Sequence, residues 1–200
     1  VACLHRGIPF TLYERDPSFD ARSQGYGLTL QQASKAMAGL GITSLEAGIT
    51  STRHVVHTTA GKIIGEWGIR KWGRPETKVS PKRKNIHIAR QSLRLALLEQ
   101  LGEHNAVQWE HQLLRFNESE DNGITLTFQV KGEIKNFKAD LVVGADGIRS
   151  TVRKLLIGEN TTPLRYLDCI VILGICPLKN LEGIESSLLD SATVFQTANG

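Results

Sequence analysis

The sequence has few of the residue patterns that are typical of metal-binding or membrane-spanning proteins. Only three of its 200 residues are cysteine, Cys3, Cys169 and Cys176, and their spacing matches no metal-ligand motif. An odd number of cysteines without a signal peptide predicts a reducing compartment, so we expect a cytoplasmic protein without a metal site. No stretch approaches ~20 consecutive apolar residues, which predicts that the chain has no membrane span.

The excess of positive over negative charge is also small. The chain has 24 Lys and Arg against 20 Asp and Glu, a formal net charge of +4. The densest basic run, Lys82-Arg83-Lys84, has no interleaved aromatic residues, so we interpret it as a solvated loop and do not expect a nucleic-acid partner. With 40% hydrophobic and 22% charged residues the chain can bury a core. It begins at Val1, inside an expected helix, so we expect it to be part of a longer protein.

The strongest signal lies between Ala139 and Arg153. Leu141 to Val143 form an apolar run without alternation, which predicts a strand covered on both faces. Two glycines around Asp146 predict a tight turn, and Ser150 is a plausible N-cap of a following helix. The first-turn amides of such a helix suit a phosphate or a ribose. An ordinary strand, turn and helix of any α/β protein is the alternative.

This segment, Val-Val-Gly-Ala-Asp-Gly-Ile-Arg-Ser-Thr-Val-Arg, resembles the Asp-Gly motif of the FAD-dependent aromatic-ring hydroxylases. These are the group A flavoprotein monooxygenases, which share the p-hydroxybenzoate hydroxylase fold. Asp146, Gly147, Ser150 and Arg153 fall on the family pattern Asp-Gly-x-x-Ser-x-x-Arg. The resemblance implies that these residues lie against FAD, close to where a nicotinamide reductant binds.

The beginning of the chain carries a second part of the resemblance. A helix end, Gly7, an expected strand over Ile8 to Tyr13 and then Glu14-Arg15 are similar to the helix–Arg-Gly–strand–Glu-Arg segment of the family. An acidic residue at the end of the second strand of a dinucleotide-binding unit accepts hydrogen bonds from ribose hydroxyls, and Glu14 is the candidate. A polar strand end is the alternative. The glycine-rich turn that cradles the pyrophosphate is not in this sequence.

Two other arginines complete the predicted cofactor site. Arg22 begins a loop whose Gly-x-Gly-Leu-x-Leu pattern is similar to the family's flavin-side loop, although it could equally be a solvated arginine. Arg90 matches an arginine in the family pattern Ile-x-Arg-x-x-Leu-x-x-x-Leu, which approaches the ribityl and phosphate part of the flavin. A guanidinium stays charged and can hold phosphate oxygens bidentately. A surface ion pair is the alternative.

The remaining pattern predicts helices and antiparallel strands. We expect a helix over 31–40, a hairpin around Ala60-Gly61-Lys62, a helix from Gln91 or Ser92 to Leu101, a three-stranded meander over 107–137 and strands over 166–176 and 194–200. The two cysteines of the 166–176 segment are expected in a core. The resemblance implies an α/β fold, an FAD-binding Rossmann-like domain of the glutathione-reductase type with an inserted antiparallel substrate sheet. It assigns 1–52 and 90–163 to the FAD-binding domain and 53–89 and 164–200 to the substrate sheet.

The activity implied is that of an FAD-dependent monooxygenase. NAD(P)H would reduce a noncovalent FAD, the reduced flavin would form a flavin hydroperoxide with O2, and one oxygen atom would pass to a small organic substrate, for which an aromatic compound is one candidate. The cofactor carries this chemistry, so no protein acid, base or nucleophile is nominated. A flavin reductase or halogenase of the same fold, and a non-catalytic fragment, stay open as alternatives, and the oligomeric state is left open.

Overall fold

The structure is a computed structural model, and it describes residues 1–22, 26–30, 33–68, 86–102, 107–118, 123–172, 174, 176–189 and 192–198. Three parts of the predictions fall outside these ranges: the Lys82-Arg83-Lys84 loop, the first two residues of the 31–40 helix and the last two residues of the 194–200 strand. No helix among the described residues is both long and apolar enough to cross a membrane.

Four helices are interspersed among eleven strands in the described residues. In chain order they are α1 (Ala2–His5), β1 (Leu12–Tyr13), β2 (Gly27–Thr29), α2 (Ala33–Gly39), β3 (Ile49–Thr50), β4 (Arg53–His57), β5 (Ile63–Trp67), β6 (Ile86–Ala89), α3 (Arg90–Glu99), β7 (Val107–Gln108), β8 (His111–Glu118), β9 (Ile124–Val130), β10 (Glu133–Ala139), α4 (Thr151–Ile157) and β11 (Thr193–Thr197). Short 3-10 helices cover Phe19–Arg22 and Leu178–Leu181.

The chain divides into two compact units. Unit 1 comprises Val1–Arg6, Gln24–Gln100 and Leu173–Gly200, and unit 2 comprises Gly7–Ser23 and Leu101–Ile172. Each unit brings together segments that are far apart in the sequence.

Unit 1 contains two three-stranded sheets. In the first, β6 is the central strand and pairs antiparallel with β2 and β3. In the second, β4 is central; it forms the predicted hairpin with β5 and pairs parallel with β11. Val55 on β4 and Ile88 on β6 are almost fully buried, so the central strands carry the core.

Unit 2 is built on the meander β8-β9-β10, which confirms the sequence prediction. Its core is Leu126, Phe128 and Val130 on the central strand β9. The ring of Tyr13, from β1, packs against Phe128 with 4.4 Å between ring centroids. Burial raises the pKa of the Tyr13 phenol, as expected for a hydroxyl held against a core. The strand β1 itself pairs parallel with β7.

Three strand predictions are wrong in extent or in kind. In the expected 8–13 strand, only Leu12 and Tyr13 pair with a strand among the described residues, which is β7. Leu141 to Val143 form no strand, and Leu141 and Val143 are 77% and 79% exposed, not covered on both faces. The described part of 166–176 forms no strand either. An apolar run becomes a strand only where a partner supplies hydrogen bonds, and no described strand pairs with either run.

Two smaller expectations also need correction. The second predicted helix begins at Arg90 itself, with Ala89 as its N-cap residue, not at Gln91 or Ser92. The cysteines Cys169 and Cys176 were expected in a core, but both are exposed free thiols. The described part of their segment forms no strand.

Candidate functional site

The Asp-Gly turn is held together by the carboxylate of Asp146. The Ser150 hydroxyl donates to Asp146 Oδ1 at 2.5 Å. The backbone N–H groups of Thr151 and Val152 donate to Asp146 Oδ2 at 2.6 and 3.2 Å. The first amides of α4 are therefore satisfied by a side chain of the same turn, and the expectation that they face a phosphate does not describe this structure.

Ser150 and Arg153 close the same turn from the other side. Ser150 Oγ accepts a hydrogen bond from Arg153 N at 2.9 Å, which confirms the predicted N-cap. Arg153 Nη2 donates to the carbonyl of Ile148 at 2.6 Å. Asp146, Ser150 and Arg153 thus all bond within the turn. The residues that these hydrogen bonds join are four and three positions apart, the same intervals that separate Asp, Ser and Arg in the sequence pattern.

The two glycines of the turn have different reasons to be glycine. A Cβ on Gly144 would lie 2.7 Å from Val152 Cβ, so the chain passes too close to α4 for a side chain there. Gly147 has a φ of +79°, which favours glycine, and a Cβ placed on it would meet nothing within 4 Å. Gly147 is therefore the point of the turn where another molecule could approach the backbone.

Burial and hydrogen bonding act in opposite directions on Asp146. Burial of the carboxyl raises its pKa, but the hydrogen bonds from Ser150, Val152 and Thr151 lower it, and the net result is a pKa below the usual value. The folded state therefore stabilises the ionised carboxylate of Asp146 relative to the protonated acid. Its stabilising contribution is present above the pKa of an unfolded aspartic acid and is lost as the pH falls through the lower pKa of the folded state.

Glu14 lies directly after β1, as predicted. Its backbone N–H donates to Gln108 O at 2.9 Å, which continues the parallel pairing with β7. Glu14 Oε1 accepts from the N–H of Asp16 at 3.1 Å, and no bond is seen to the other carboxylate oxygen from the described residues. The neighbouring Arg15 is exposed, without a described partner. Glu14 thus keeps an open acceptor at the carboxyl end of a parallel strand.

Arg22 has a partner that the sequence analysis did not name. Its Nη2 lies 2.9 Å from Asp16 Oδ1, and the carboxylate side chain is only 13% exposed against 46% for the arginine. Arg22 is thus an exposed arginine that is paired with Asp16. Any role with a flavin would require Arg22 to leave Asp16 or to use its remaining donors.

Arg90 is the first residue of α3 in unit 1. Its backbone N–H donates to Tyr26 O at 3.1 Å, which fixes the helix start to the residue before β2. The guanidinium is half-buried and makes no ion pair or hydrogen bond with the residues that the structure describes. One turn later, Arg94 Nη1 donates to Gln91 Oε1 at 2.6 Å. The alternative of a surface ion pair thus finds no acidic partner for Arg90 among the described residues.

The predicted residues fall into groups by unit. Unit 2 holds the Asp-Gly turn and the loop after β1, and both Tyr13 and Val142 pack on the same β9 core. Arg90 belongs to unit 1.

The sequence analysis did not single out Arg149. It is an exposed arginine at the tip of the turn that bonds to none of the described residues. No group of three potential metal ligands occurs in the described ranges.

We expect Ser150→Ala to lower the free energy of unfolding by about 1 kcal/mol, because it removes the cap on Arg153 N and a donor to Asp146. Urea denaturation followed by far-UV circular dichroism measures this. The matched control is Thr151→Ala, one residue further on, which should change the free energy by less than half as much. Equal losses in the two variants would contradict a capping role for Ser150.

Asp146→Asn should remove part of the acid dependence of stability. At neutral pH the variant should be less stable by about 1 kcal/mol, since a neutral amide accepts the Thr151 and Val152 N–H groups more weakly. As the pH falls below the ordinary aspartic acid pKa of about 4 and through the lower pKa of folded Asp146, the carboxylate takes up a proton and the difference should shrink. Urea midpoints at several pH values test this, and a difference that stays constant into acid would contradict it.

Solved structures identify the fold. The chain superposes on p-nitrophenol 4-monooxygenase from Pseudomonas putida DLL-E4 with a TM-score of 0.61 and 15% sequence identity, over 76% of this chain and 38% of that one. PqsL from Pseudomonas aeruginosa gives a TM-score of 0.60 at 20% identity, over 80% and 41%. At these identities the likeness concerns the fold alone, which is that of the FAD monooxygenases, with mixed α/β sheets.

The family follows from the sequence. Residues 6–169 match the FAD-binding domain family, and the chain belongs to that family. It is 26% identical over 180 residues to the FAD-dependent monooxygenase thnD of Trichoderma harzianum, covering 84% of this chain and 40% of thnD. It is 30% identical over 184 residues to the chloroplastic zeaxanthin epoxidase of Solanum lycopersicum, covering 84% and 25%. The predicted resemblance is confirmed, and the chain spans less than half the length of these relatives.

Proposed function

We propose that the chain is the FAD-binding part of an FAD-dependent monooxygenase that transfers one oxygen atom of O2 to a small organic substrate. The observation that carries the proposal is the family match over residues 6–169, within which the Asp-Gly-x-x-Ser-x-x-Arg turn lies. NAD(P)H as the reductant, and the route of oxygen transfer that the resemblance implies, belong to the same proposal.

The residues of each unit fit the chemistry of FAD. In unit 2, Glu14 keeps an open carboxylate oxygen for ribose hydroxyls, and Gly147 leaves the backbone bare for close approach. In unit 1, Arg90 has a guanidinium without a described partner, which suits a phosphate. Arg15 and Arg22 are proposed as further phosphate donors, Arg15 exposed and Arg22 shared with Asp16.

Three residues of the Asp-Gly pattern have a different proposed role. Asp146 and Ser150 hydrogen-bond each other, and Arg153 bonds Ser150 through its backbone N–H and the Ile148 carbonyl through Nη2. Arg153 Nε is buried and has no partner among the described residues. In this conformation the three residues position the turn and leave the approach to Gly147. Asp146 in addition accepts hydrogen bonds from the first two backbone N–H groups of α4. We therefore assign them to the cofactor site as positioning residues, with Gly147 as the contact.

FAD, when bound, supplies the redox chemistry, accepting electrons from a nicotinamide and delivering them to O2. The protein residues bind and orient it. We further propose the glutathione-reductase type of FAD-binding domain, with 1–52 and 90–163 in it and with 53–89 and 164–200 belonging to an inserted substrate sheet. Within these ranges the structure describes the three-stranded sheet in which β4 pairs antiparallel with β5 and parallel with β11.

Flavin binding tests the proposal directly. The purified chain should carry, or take up, FAD with a visible flavin absorption band and quenched flavin fluorescence. If the purified protein is colourless and does not bind added FAD, the chain is a non-catalytic fragment of such an enzyme. This second reading is kept because the chain spans 40% of thnD and lacks the glycine-rich turn.

Oxygen transfer separates the proposal from a flavin reductase or halogenase. A protein that oxidises NAD(P)H and incorporates labelled oxygen from O2 into an organic product is a monooxygenase. NAD(P)H oxidation that yields only reduced flavin or peroxide, whatever organic compound is present, would favour the reductase reading.

A further inference from the structure

Glu110 has a backbone conformation that is uncommon for glutamate. Its φ is +59°, in the left-handed region that favours glycine. Lys131 has a similar φ of +51°, but it forms with Gly132 the two-residue turn between β9 and β10, and such turns require positive φ. Among the described strands, Glu110 joins no hairpin, because β7 before it pairs with β1 and β8 after it pairs with β9. Such a residue is kept only where surrounding bonds hold it, so its hydrogen bonds indicate what it does.

Three backbone hydrogen bonds tie the turn at Glu110 to the loop that follows β1. The N–H of Glu14 donates to the carbonyl of Gln108, and the N–H of His111 donates to the carbonyl of Glu14, both at 2.9 Å. The N–H of Glu110 donates to the carbonyl of Asp16, also at 2.9 Å. The Gln108 carbonyl and the His111 N–H are the groups that close an ordinary four-residue turn, and here both are bonded to Glu14. The turn therefore fixes the backbone of Glu14 on both sides.

Asp16 links this turn to the side chain of Glu14. Its N–H donates to Glu14 Oε1 at 3.1 Å, its carbonyl accepts from Glu110, and its carboxylate lies 2.9 Å from Arg22 Nη2. Asp16 is therefore fixed at three points. One oxygen of the half-buried Glu14 carboxylate is bonded to this fixed residue. The position of the other oxygen, to which no described residue bonds, thus follows from the turn at Glu110.

The turn is anchored to the aromatic core of unit 2. His111 Nδ1 donates to the carbonyl of Trp109 at 2.6 Å, since a carbonyl oxygen only accepts. The His111 ring lies 5.2 Å from the ring of Tyr13 and 5.8 Å from that of Phe128, measured between centroids. Because Tyr13 belongs to β1, the turn and the strand that leads into the ribose loop rest on the same core.

The carboxylate of Glu110 contributes little to this arrangement. It lies 3.5 Å from Lys131 Nζ, and the Lys131 side chain is 74% exposed, so solvent screens the ion pair. What holds Asp16 is the backbone N–H of Glu110 in its left-handed conformation. Glycine keeps both that N–H and a positive φ, whereas valine, which is branched at Cβ, tolerates a positive φ poorly.

We propose that Glu110 is a positioning residue of the flavin site, and that its left-handed backbone holds the Glu14 carboxylate for the hydroxyls of the adenosine ribose. The inference rests on the proposed function, because it takes FAD as the ligand. Glu110 acts through its neighbours: its N–H fixes Asp16, Asp16 fixes one oxygen of Glu14, and the other oxygen accepts from the ribose.

The preference for FAD over an analogue whose adenosine ribose lacks the 2′-hydroxyl measures the ribose contact. Quenching of flavin fluorescence gives both dissociation constants for the whole chain. The wild type should bind FAD about 10-fold more tightly than the analogue, the effect of one charge-assisted hydrogen bond. Glu110→Gly should keep this preference. Glu110→Val and Glu14→Ala should reduce it to about twofold or less, and Glu110→Val should leave the affinity for the analogue unchanged.

Lys131→Val is the matched control. It places valine at another left-handed position of unit 2, so it should destabilise the fold as Glu110→Val does, yet keep the wild-type preference for FAD. If Glu110→Val does not fold, Glu110→Ala takes its place, because alanine is strained less at positive φ and should lose part of the preference.

Amide hydrogen exchange in the chain without FAD tests the positioning separately from cofactor binding. Exchange at the N–H groups of Asp16 and His111 should be about 10-fold faster in Glu110→Val, relative to amides of β9, and unchanged in Glu110→Gly and Lys131→Val. A wild-type chain that binds neither FAD nor the analogue contradicts the proposed function, and the exchange pattern then decides the positioning role alone. An undisturbed preference or undisturbed exchange in Glu110→Val, or equal losses in Lys131→Val, would overturn the inference.

Discussion

Arg90→Ala is expected to weaken FAD binding by about 10- to 100-fold, the loss produced by removing one charge-assisted hydrogen-bonding group worth about 1.5–3 kcal/mol. The guanidinium of Arg90 is half-buried at the start of α3 and makes no bond with the described residues, so alanine breaks no hydrogen bond or ion pair to any of them. Titration of the chain with FAD, followed by quenching of flavin fluorescence, measures the dissociation constant.

The control for this prediction is Arg94→Ala. Arg94 lies one turn further along the same helix, carries the same charge and bonds Gln91 at 2.6 Å. It should change FAD affinity by no more than about twofold, the small effect of a distant screened charge. Equal losses in the two variants would indicate a general effect of positive charge, and an unchanged affinity in Arg90→Ala would contradict the proposed phosphate contact.

Phe128→Ala should destabilise unit 2 by about 3–5 kcal/mol, the usual cost of deleting a buried aromatic side chain. Phe128 is 3% exposed at the centre of β9 and touches Tyr13, His111 and Phe137 with ring centroids 4.4–5.8 Å apart. Its removal therefore opens a cavity at the point where β1 joins the meander. Urea denaturation monitored by circular dichroism measures the loss.

The matched variant is Phe195→Ala. Phe195 lies on β11 in unit 1, is 49% exposed and packs against His57 with 5.9 Å between ring centroids. Because half of its ring is already in water, the change should cost less than about 1.5 kcal/mol. Comparable losses at the two positions would contradict the assignment of Phe128 to the core.

Local patterns in the sequence predict the parts of the fold that depend on near neighbours. The alternation of apolar and polar residues over 124–130 predicts β9, and Lys131-Gly132 turns the chain directly into β10. Ala60-Gly61-Lys62 in the same way predicts the β4–β5 hairpin. The N-cap of α4 follows from Ser150, because its hydroxyl needs only Arg153 three residues later.

Features that depend on distant partners could not be predicted. The run Leu141 to Val143 has the composition of a buried strand, yet whether it pairs depends on another segment. The parallel pairing of β11 with β4 joins residues about 140 positions apart, and no local pattern encodes it. In the candidate site, the spacing of the residues predicts the turn. It does not reveal that Arg22 pairs with Asp16 or that the Asp146 carboxylate accepts a hydrogen bond from the first amide of α4.

The internal bonds of the Asp-Gly turn affect what binding there would require. Because Asp146, Ser150 and Arg153 already fix the backbone around Gly147, the conformational entropy of this loop is lost when the protein folds. A nucleotide that arrives at the turn meets a rigid surface and has little further ordering to impose on it. The turn should therefore recognise a ligand by its shape, and crystals grown with and without the ligand should superpose closely over residues 144–153.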